Sequence, residues 1–227
     1  MSAHGGPDLI TNGLVMQLDA ANTDSYPLPR TGSTWLDIST QGNNGTLYNS
    51  PTFSSENNGC IVLTNVNANV NCNGFTFNNA NLTFSCWAKV NTIGAGYSHF
   101  ISKELALKYR TNNTTGVVEV LYSSSGVGWT GSISSTRPIL ANTWYNLTVT
   151  AQSNSFVRLY INGTLAASAA FAATLATNSN EINIGSYNRF GPDTFNGSVA
   201  IAQVYNRALS PTEILQNYNA TKSRFFL

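Results

Sequence analysis

Phe195-Asn196-Gly197-Ser198-Val199-Ala200-Ile201-Ala202-Gln203-Val204-Tyr205 runs into Asn206-Arg207-Ala208-Leu209 and then Ser210-Pro211-Thr212-Glu213-Ile214-Leu215-Gln216-Asn217-Tyr218. The first run is rich in β-branched and aromatic residues and is bounded by Gly197 and Asn206, so it reads as a long strand. The last run writes out the start of a helix. Ser210 is the N-cap, Pro211 takes the first helical position, and Glu213 stands where a capping-box carboxylate reaches back. Leu209 and Ile214 are placed to clamp across that cap. Ile214, Leu215 and Tyr218 share one helical face, so the helix docks on something apolar. A central strand sealed by a one-faced helix is a way of closing a domain and carries no chemistry of its own.

Upstream of it the chain is strand after strand. Leu82, Phe84, Cys86, Ala88 and Val90 face one side while Thr83, Ser85, Trp87 and Lys89 face the other, the pattern of a half-buried antiparallel strand. Strands are also expected at 14–18, 46–48, 60–63, 99–102, 105–109, 117–122, 129–134, 145–151 and 182–185. Val157, Leu159 and Ile161 lead into Asn162-Gly163, the strongest short-range signal for a type I′ hairpin. Residues 165–176 are alanine-rich and would pass for a helix on propensity. Their place between a hairpin and a strand makes them strand and then loop. Many short strands with regular turns and one late helix define an all-β, two-sheet antiparallel jelly-roll sandwich with one short C-terminal helix. Residues 1–12 read as an N-terminal arm, 13–221 as the jelly roll and 222–227 as a C-terminal tail.

The motifs carry a family resemblance. The glycine-led closing strand with Val204-Tyr205-Asn206-Arg207-Ala208-Leu209-Ser210 and Glu213-Ile214 resembles the end of laminin-G-like domains, members of the concanavalin A-like lectin/glucanase jelly rolls. Arg158-Leu159-Tyr160-Ile161-Asn162-Gly163-Thr164 is similar to that family's Tyr-x-Asn-Gly hairpin. Gly13-Leu14-Val15 through Leu18-Asp19-Ala20, with Trp35-Leu36-Asp37 and Gly42-Asn43-Asn44-Gly45-Thr46-Leu47, resembles the opening of the variant common in tailed-phage virion proteins. The resemblance spans nearly the whole chain. It implies a fold more than a function, since this architecture hosts lectins, hydrolases and plain spacers.

Composition narrows the functions. At 227 residues the chain fits one large β-domain. Charged residues make up only 9%, against about 25% in an average domain, and Asn, Thr, Ser and Gly supply the polarity instead. A net charge of +1 with no basic block argues against nucleic acid. The Asn-x-Thr/Ser triplets, such as Asn44-Gly45-Thr46, are expected by chance in such a chain. The N-terminus has neither the charged nor the apolar region of a signal peptide. No apolar run reaches the eighteen or so residues of a membrane span. Synthesis in a host cytoplasm and residence on a virion surface follow as the expected localisation. Of the three cysteines, Cys86 falls on the apolar side of its strand. A Cys60–Cys72 bridge stays open, and no histidine close in sequence suggests zinc.

Hydrolysis would need two carboxylates placed as acid and base or nucleophile. The resemblance implies a Glu-x-Asp-x-x-Glu strand in the glucanase branch, yet Glu119 stands here without an acid at that spacing. His4 and His99 are the only histidines, and neither has a nucleophile beside it in sequence. No catalytic residue is assigned. The family's calcium acids are replaced by Ala200 and Ile201 in the closing strand and are absent from residues 63–70. No cofactor is therefore expected, with Asp19, Asp24 and Asp37 left as the acids that a calcium site completed by loop carbonyls would use.

Metal-free glycan binding needs an aromatic platform and a few planar polar groups. The loop 186–195 concentrates Tyr187, Asn188, Arg189 and Asp193 beside the closing strand, and Trp129 and Tyr97-Ser98-His99 are candidates to join it. Against this, Arg189 and Asp193 pairing with each other would simply order the loop. Phe225, Phe226 and Leu227 form an apolar tip, which with the arm around Pro7 would contact neighbouring subunits or other virion proteins. The sequence thus favours a non-enzymatic virion structural protein, a capsid decoration or fibre module with its loop edge free to meet host glycans. A dedicated carbohydrate-binding adhesin is the alternative, and a glycoside hydrolase the third reading.

Overall fold

A computed structural model describes residues 7–72, 81–94, 96–188 and 195–226. In chain order the strands are β1 (Leu14–Asp19), β2 (Thr34–Trp35), β3 (Gly45–Tyr48), β4 (Thr52–Ser54), β5 (Cys60–Leu63), β6 (Asn69–Cys72), β7 (Asn81–Val90) and β8 (Tyr97–Lys103). They continue with β9 (Leu107–Asn112), β10 (Val117–Tyr122), β11 (Gly131–Pro138), β12 (Trp144–Gln152), β13 (Ser155–Ile161), β14 (Thr164–Phe171), β15 (Ile182–Ile184) and β16 (Gly197–Tyr205). One α-helix, α1 (Pro211–Thr221), follows.

These strands make two antiparallel sheets. One has the order β14-β13-β12-β7-β16-β5-β4, with β1 also paired to β16; the other runs β11-β10-β9-β8-β15-β6-β3-β2. The closing strand β16 is the hub of the first sheet. Its first half pairs with β5, its second half with β1, and its other edge with β7. Register explains the layers, because residues directly opposite one another in a sheet share a face. Across the second sheet, Ile133, Val120, Tyr109, Ile101, Ile184, Val70 and Leu47 stand in one row. All seven belong to the main core between the sheets.

The hairpin and cap motifs fold as the sequence dictates. Asn162 and Gly163 take φ of 51° and 74°, so both turn residues are left-handed, as a type I′ turn requires. Residues 164–171 are strand and not helix. Ser210 Oγ accepts the Glu213 amide at 3.3 Å, and Glu213 Oε2 accepts the Ser210 amide at 2.8 Å. Leu209 and Ile214 are buried together with Tyr160 and Tyr205. Leu215 turns outward, and the helix buries Asn217 instead. That amide accepts from Ile10 N at 2.8 Å and donates to Tyr205 Oη at 2.9 Å, so the arm packs on its own domain.

Several expectations change. β7 is not half-buried: Thr83, Ser85 and Trp87 are buried as well as the apolar row. For Trp87 the reason lies at the C-terminus. Residues 222–225 continue α1 as a 3-10 turn, and the Phe225 ring stacks on Trp87 at 3.9 Å between centroids. Arg224 reaches Asp19 Oδ1 at 2.6 Å, Asn57 O at 2.6 Å and Gly59 O. Among the described residues the expected exposed tip is thus open only at Phe226, 90% exposed, while Phe225 is 5% exposed. Leu227 lies outside the described residues. Cys60 and Cys72 are free thiols in different sheets, not a bridge. The strand expected at 105–109 begins at Leu107, since Leu105 is left-handed with φ of 56° in the preceding turn. The strand expected at 129–134 begins at Gly131, leaving Trp129 in a loop. The short strands β2, β4 and β6 escaped the sequence reading; β6 is Asn-Val-Asn-Cys, and asparagine hides a strand from propensity.

Candidate functional site

The row beside the core row points out of the second sheet. Its members are Ser132, Leu121, Lys108, Ser102, Asn183, Asn71, Thr46 and Thr34, one from each strand. Seven of these eight side chains are polar, so the alternation that fills the core also lays a polar band across this face. Loops then cover its middle. Ser102 Oγ reaches the carbonyls of Ser186 and Tyr187 at 2.7 and 2.6 Å, which fixes where the Tyr187 side chain starts.

Tyr187 and Trp129 come together with their ring centroids 6.1 Å apart and planes tilted by 58°. Lys108 rises between them from β9. Its ammonium lies 3.8 Å from the Tyr187 centroid and 4.8 Å from that of Trp129, a double cation–π contact. Only 5% of Lys108 is exposed, so the charge is largely desolvated there. His99 closes the other side, 5.9 Å from Tyr187. Asn188 Nδ2 donates to Glu104 Oε1 at 3.3 Å. Burial, and then the neighbouring Glu104 carboxylate, push the Tyr187 hydroxyl up to about 12. Tyr187 therefore stays a neutral donor at any physiological pH. Glu104 in turn is held by its backbone, whose carbonyl accepts Asn178 Nδ2 at 2.8 Å and Asn180 Nδ2 at 3.1 Å. Deeper in the band, Asn71 Nδ2 donates to Asn183 Oδ1 at 3.0 Å and to Glu181 Oε2. Asn71 Oδ1 and Ser186 Oγ are buried with no hydrogen-bond partner among the described residues.

Of the residues expected from sequence, the structure thus brings Tyr187, Asn188, Trp129 and His99 into one place. Tyr97 lies apart, under Arg110 at 3.4 Å. Arg189 and Asp193 lie outside the described residues. Lys108, Glu104 and Ser102 were missed. The signal for Lys108 and Glu104 was their charge, rare in a chain only 9% charged, on or beside a strand. Glu119 is ion-paired to Arg110 at 3.0 Å and accepts from Asn112 at 3.3 Å. Asp37 accepts four bonds, from Gln17 N, Ser39 N and Oγ, and Asn43 N, and so organises its loop. Asp19 takes Ala21 N and Arg224. Among the described residues, no three His, Cys, Asp or Glu side chains gather as a metal site.

The two sheets, the closing strand and the C-terminal helix define a lectin-type jelly roll. Residues 63–215 match the laminin G family of the concanavalin A-like lectin/glucanases superfamily, and the chain belongs to it. No well-characterised protein sequence matches significantly. Among solved structures it is similar to the binding domain of Paraclostridial Mosquitocidal Protein 1, with a TM-score of 0.72 and 17% identity over 92% of this chain and 52% of that one. It is similar to the Trypanosoma rangeli sialidase in complex with 2,3-difluorosialic acid, with a TM-score of 0.72 and 17% identity over 96% of this chain and 35% of that one. A third is the ligand-binding domain of botulinum neurotoxin serotype D in complex with N-acetylneuraminic acid, at 0.70 and 16%, over 92% and 51%. The chain spans about half the length of the toxin domains and about a third of the sialidase.

Proposed function

We propose that this domain binds carbohydrate on the Tyr187–Trp129 face and does not cleave it. The observation that carries the reading is the pair of tilted rings with the Lys108 ammonium between them and the Asn188–Glu104 pair alongside. Rings offer apolar faces to the C–H surface of a sugar, and the amide, carboxylate and phenol supply planar hydrogen-bonding groups that fix orientation. Asn71 Oδ1 in the same polar band, and Ser186 Oγ in the loop over it, have no hydrogen-bond partner among the described residues. Similarity to a toxin domain solved with N-acetylneuraminic acid supports the substrate class at the level of fold. The binding-only reading rests on Glu119, which is engaged by Arg110 and Asn112.

A glycan array with the soluble domain tests it. At least one glycan should bind, and Tyr187→Ala or Trp129→Ala should weaken it tenfold or more, about 1.4 kcal/mol. Binding that survives both substitutions would place the site elsewhere. Release of sugar from a bound glycan, lost in Glu119→Gln, would make the domain a hydrolase.

The virion role, as capsid decoration or fibre module, is a second reading. It rests on the opening motifs and on the exposed Phe226 ring. Phe226→Ser should then prevent incorporation into particles while leaving the fold unchanged.

A further inference from the structure

β11 and β14 are the end strands of their two sheets, and they lie side by side. Where they meet, a cleft of about 420 Å³ opens, lined by Arg137, Ile139, Tyr145, Ile161 and Leu165 among others. None of the residues named for the glycan face takes part in it. Its volume falls within the range of small-molecule sites. Its floor is apolar, with Ile139 in the main core and Tyr145, Ile161 and Ala166 packed on the margin of that core. Leu165 is 52% exposed in its lining and Leu140, next to Ile139, is 62% exposed. Apolar surface gathered in a concavity, and not scattered singly as at Leu28, Val66 and Val127, marks a contact.

Two polar groups at the cleft give the ligand a sign. Arg137 is exposed and makes no side-chain ion pair or hydrogen bond with any described residue. Tyr145 Oη accepts the Leu140 amide at 3.1 Å, which leaves its own O–H to donate. Among the described residues, none that lines the cleft is acidic. A guanidinium and a phenol O–H beside an apolar floor complement a carboxylate carried on an apolar body. We propose that this cleft is a second ligand site, taking a small amphipathic monocarboxylate. Its apolar body lies on Ile139, Ile161 and Leu165, and its carboxylate meets Arg137 and Tyr145.

Calorimetric titration with decanoate, decanol and decyltrimethylammonium tests the assignment. Decanoate should saturate a single site at least tenfold more tightly than decanol, and the cationic amphiphile should not bind. Arg137→Gln should reduce decanoate to the affinity of decanol, Tyr145→Phe should weaken it less, and Leu165→Asp should abolish both. Unchanged melting temperatures show that these surface variants stay folded. Tyr187→Ala should leave decanoate affinity unchanged, which keeps this site separate from the glycan face. Absence of saturable decanoate binding, equal binding of the cation, or indifference to Arg137→Gln overturns the proposal. So does a dimer in sedimentation that Leu165→Asp dissociates, because a second copy would then be what covers the cleft.

Discussion

Single residues decide how this chain ends. Phe225 was legible only as an apolar residue in a tail, yet its ring stacks on Trp87 with 10° between the planes, and Tyr218 stacks on the same indole at 5.8 Å. Trp87 Nε1 donates to Thr221 Oγ1 at 2.8 Å, so the indole is held at both its face and its polar edge. Emptying that stack should be costly. Phe225→Ala is expected to lower stability by about 3–5 kcal/mol in urea unfolding. Phe226→Ala, one residue on and exposed, should stay within about 0.5 kcal/mol. The contrast between adjacent phenylalanines comes from contacts made across the whole sequence, and no local pattern encodes it. Tyr187 and Trp129 teach the same lesson in a milder form. Each was legible as a loop aromatic, but the lysine between them belongs to a strand whose register had first to be known.

At the scale of the element, the helix and the hairpin were readable because their signals are local. The cap of α1 was written in four residues, and the structure adds Arg207, whose guanidinium grips Glu213 at 2.9 and 2.6 Å. That grip, followed by the bonds from Ser210, holds the Glu213 carboxyl down at about 2, against an ordinary 4.5. As pH falls, the unfolded chain takes up this proton first. The stabilisation is therefore whole above about pH 4.5 and is lost between there and about 2. Glu213→Gln should flatten that part of the stability–pH curve measured by chemical denaturation, and Ser210→Ala should cost about 1 kcal/mol at neutral pH. The hairpin makes a similar demand. A Cβ on Gly163, at φ of 74°, would come within 3.1–3.2 Å of Leu215 and Tyr218. Gly163→Ala should cost about 1–2 kcal/mol from the left-handed backbone alone, with the helix contact adding to it. Strands such as β6 were not legible, because their burial comes from neighbours in the sheet and not from their own side chains.

For the molecule as a whole, the two layers followed from alternation, and the site did not. Alternation tells which side chains leave the core, but only strand order and register place Lys108, Ser102, Asn183 and Asn71 in one band. The ends of the chain change the outlook most. With Arg224 bridging Asp19 and the carbonyls of residues 57 and 59, and Phe225 closing the outer face of β7, the C-terminal segment is part of the fold. Removing residues 224–227 should lower the melting temperature by several degrees, where an appended tail would leave it unchanged. The three cysteines sit inside this same closed body. Burial raises all three thiols, Cys86 to about 12, so the reactive thiolate is scarce at each. Iodoacetamide should label them only as fast as the domain unfolds, and reductant should leave the melting temperature where it is. With its three cysteines free and buried, the sandwich owes its cohesion to packing and not to disulfides, and its stability should be the same in reducing and in oxidising buffer.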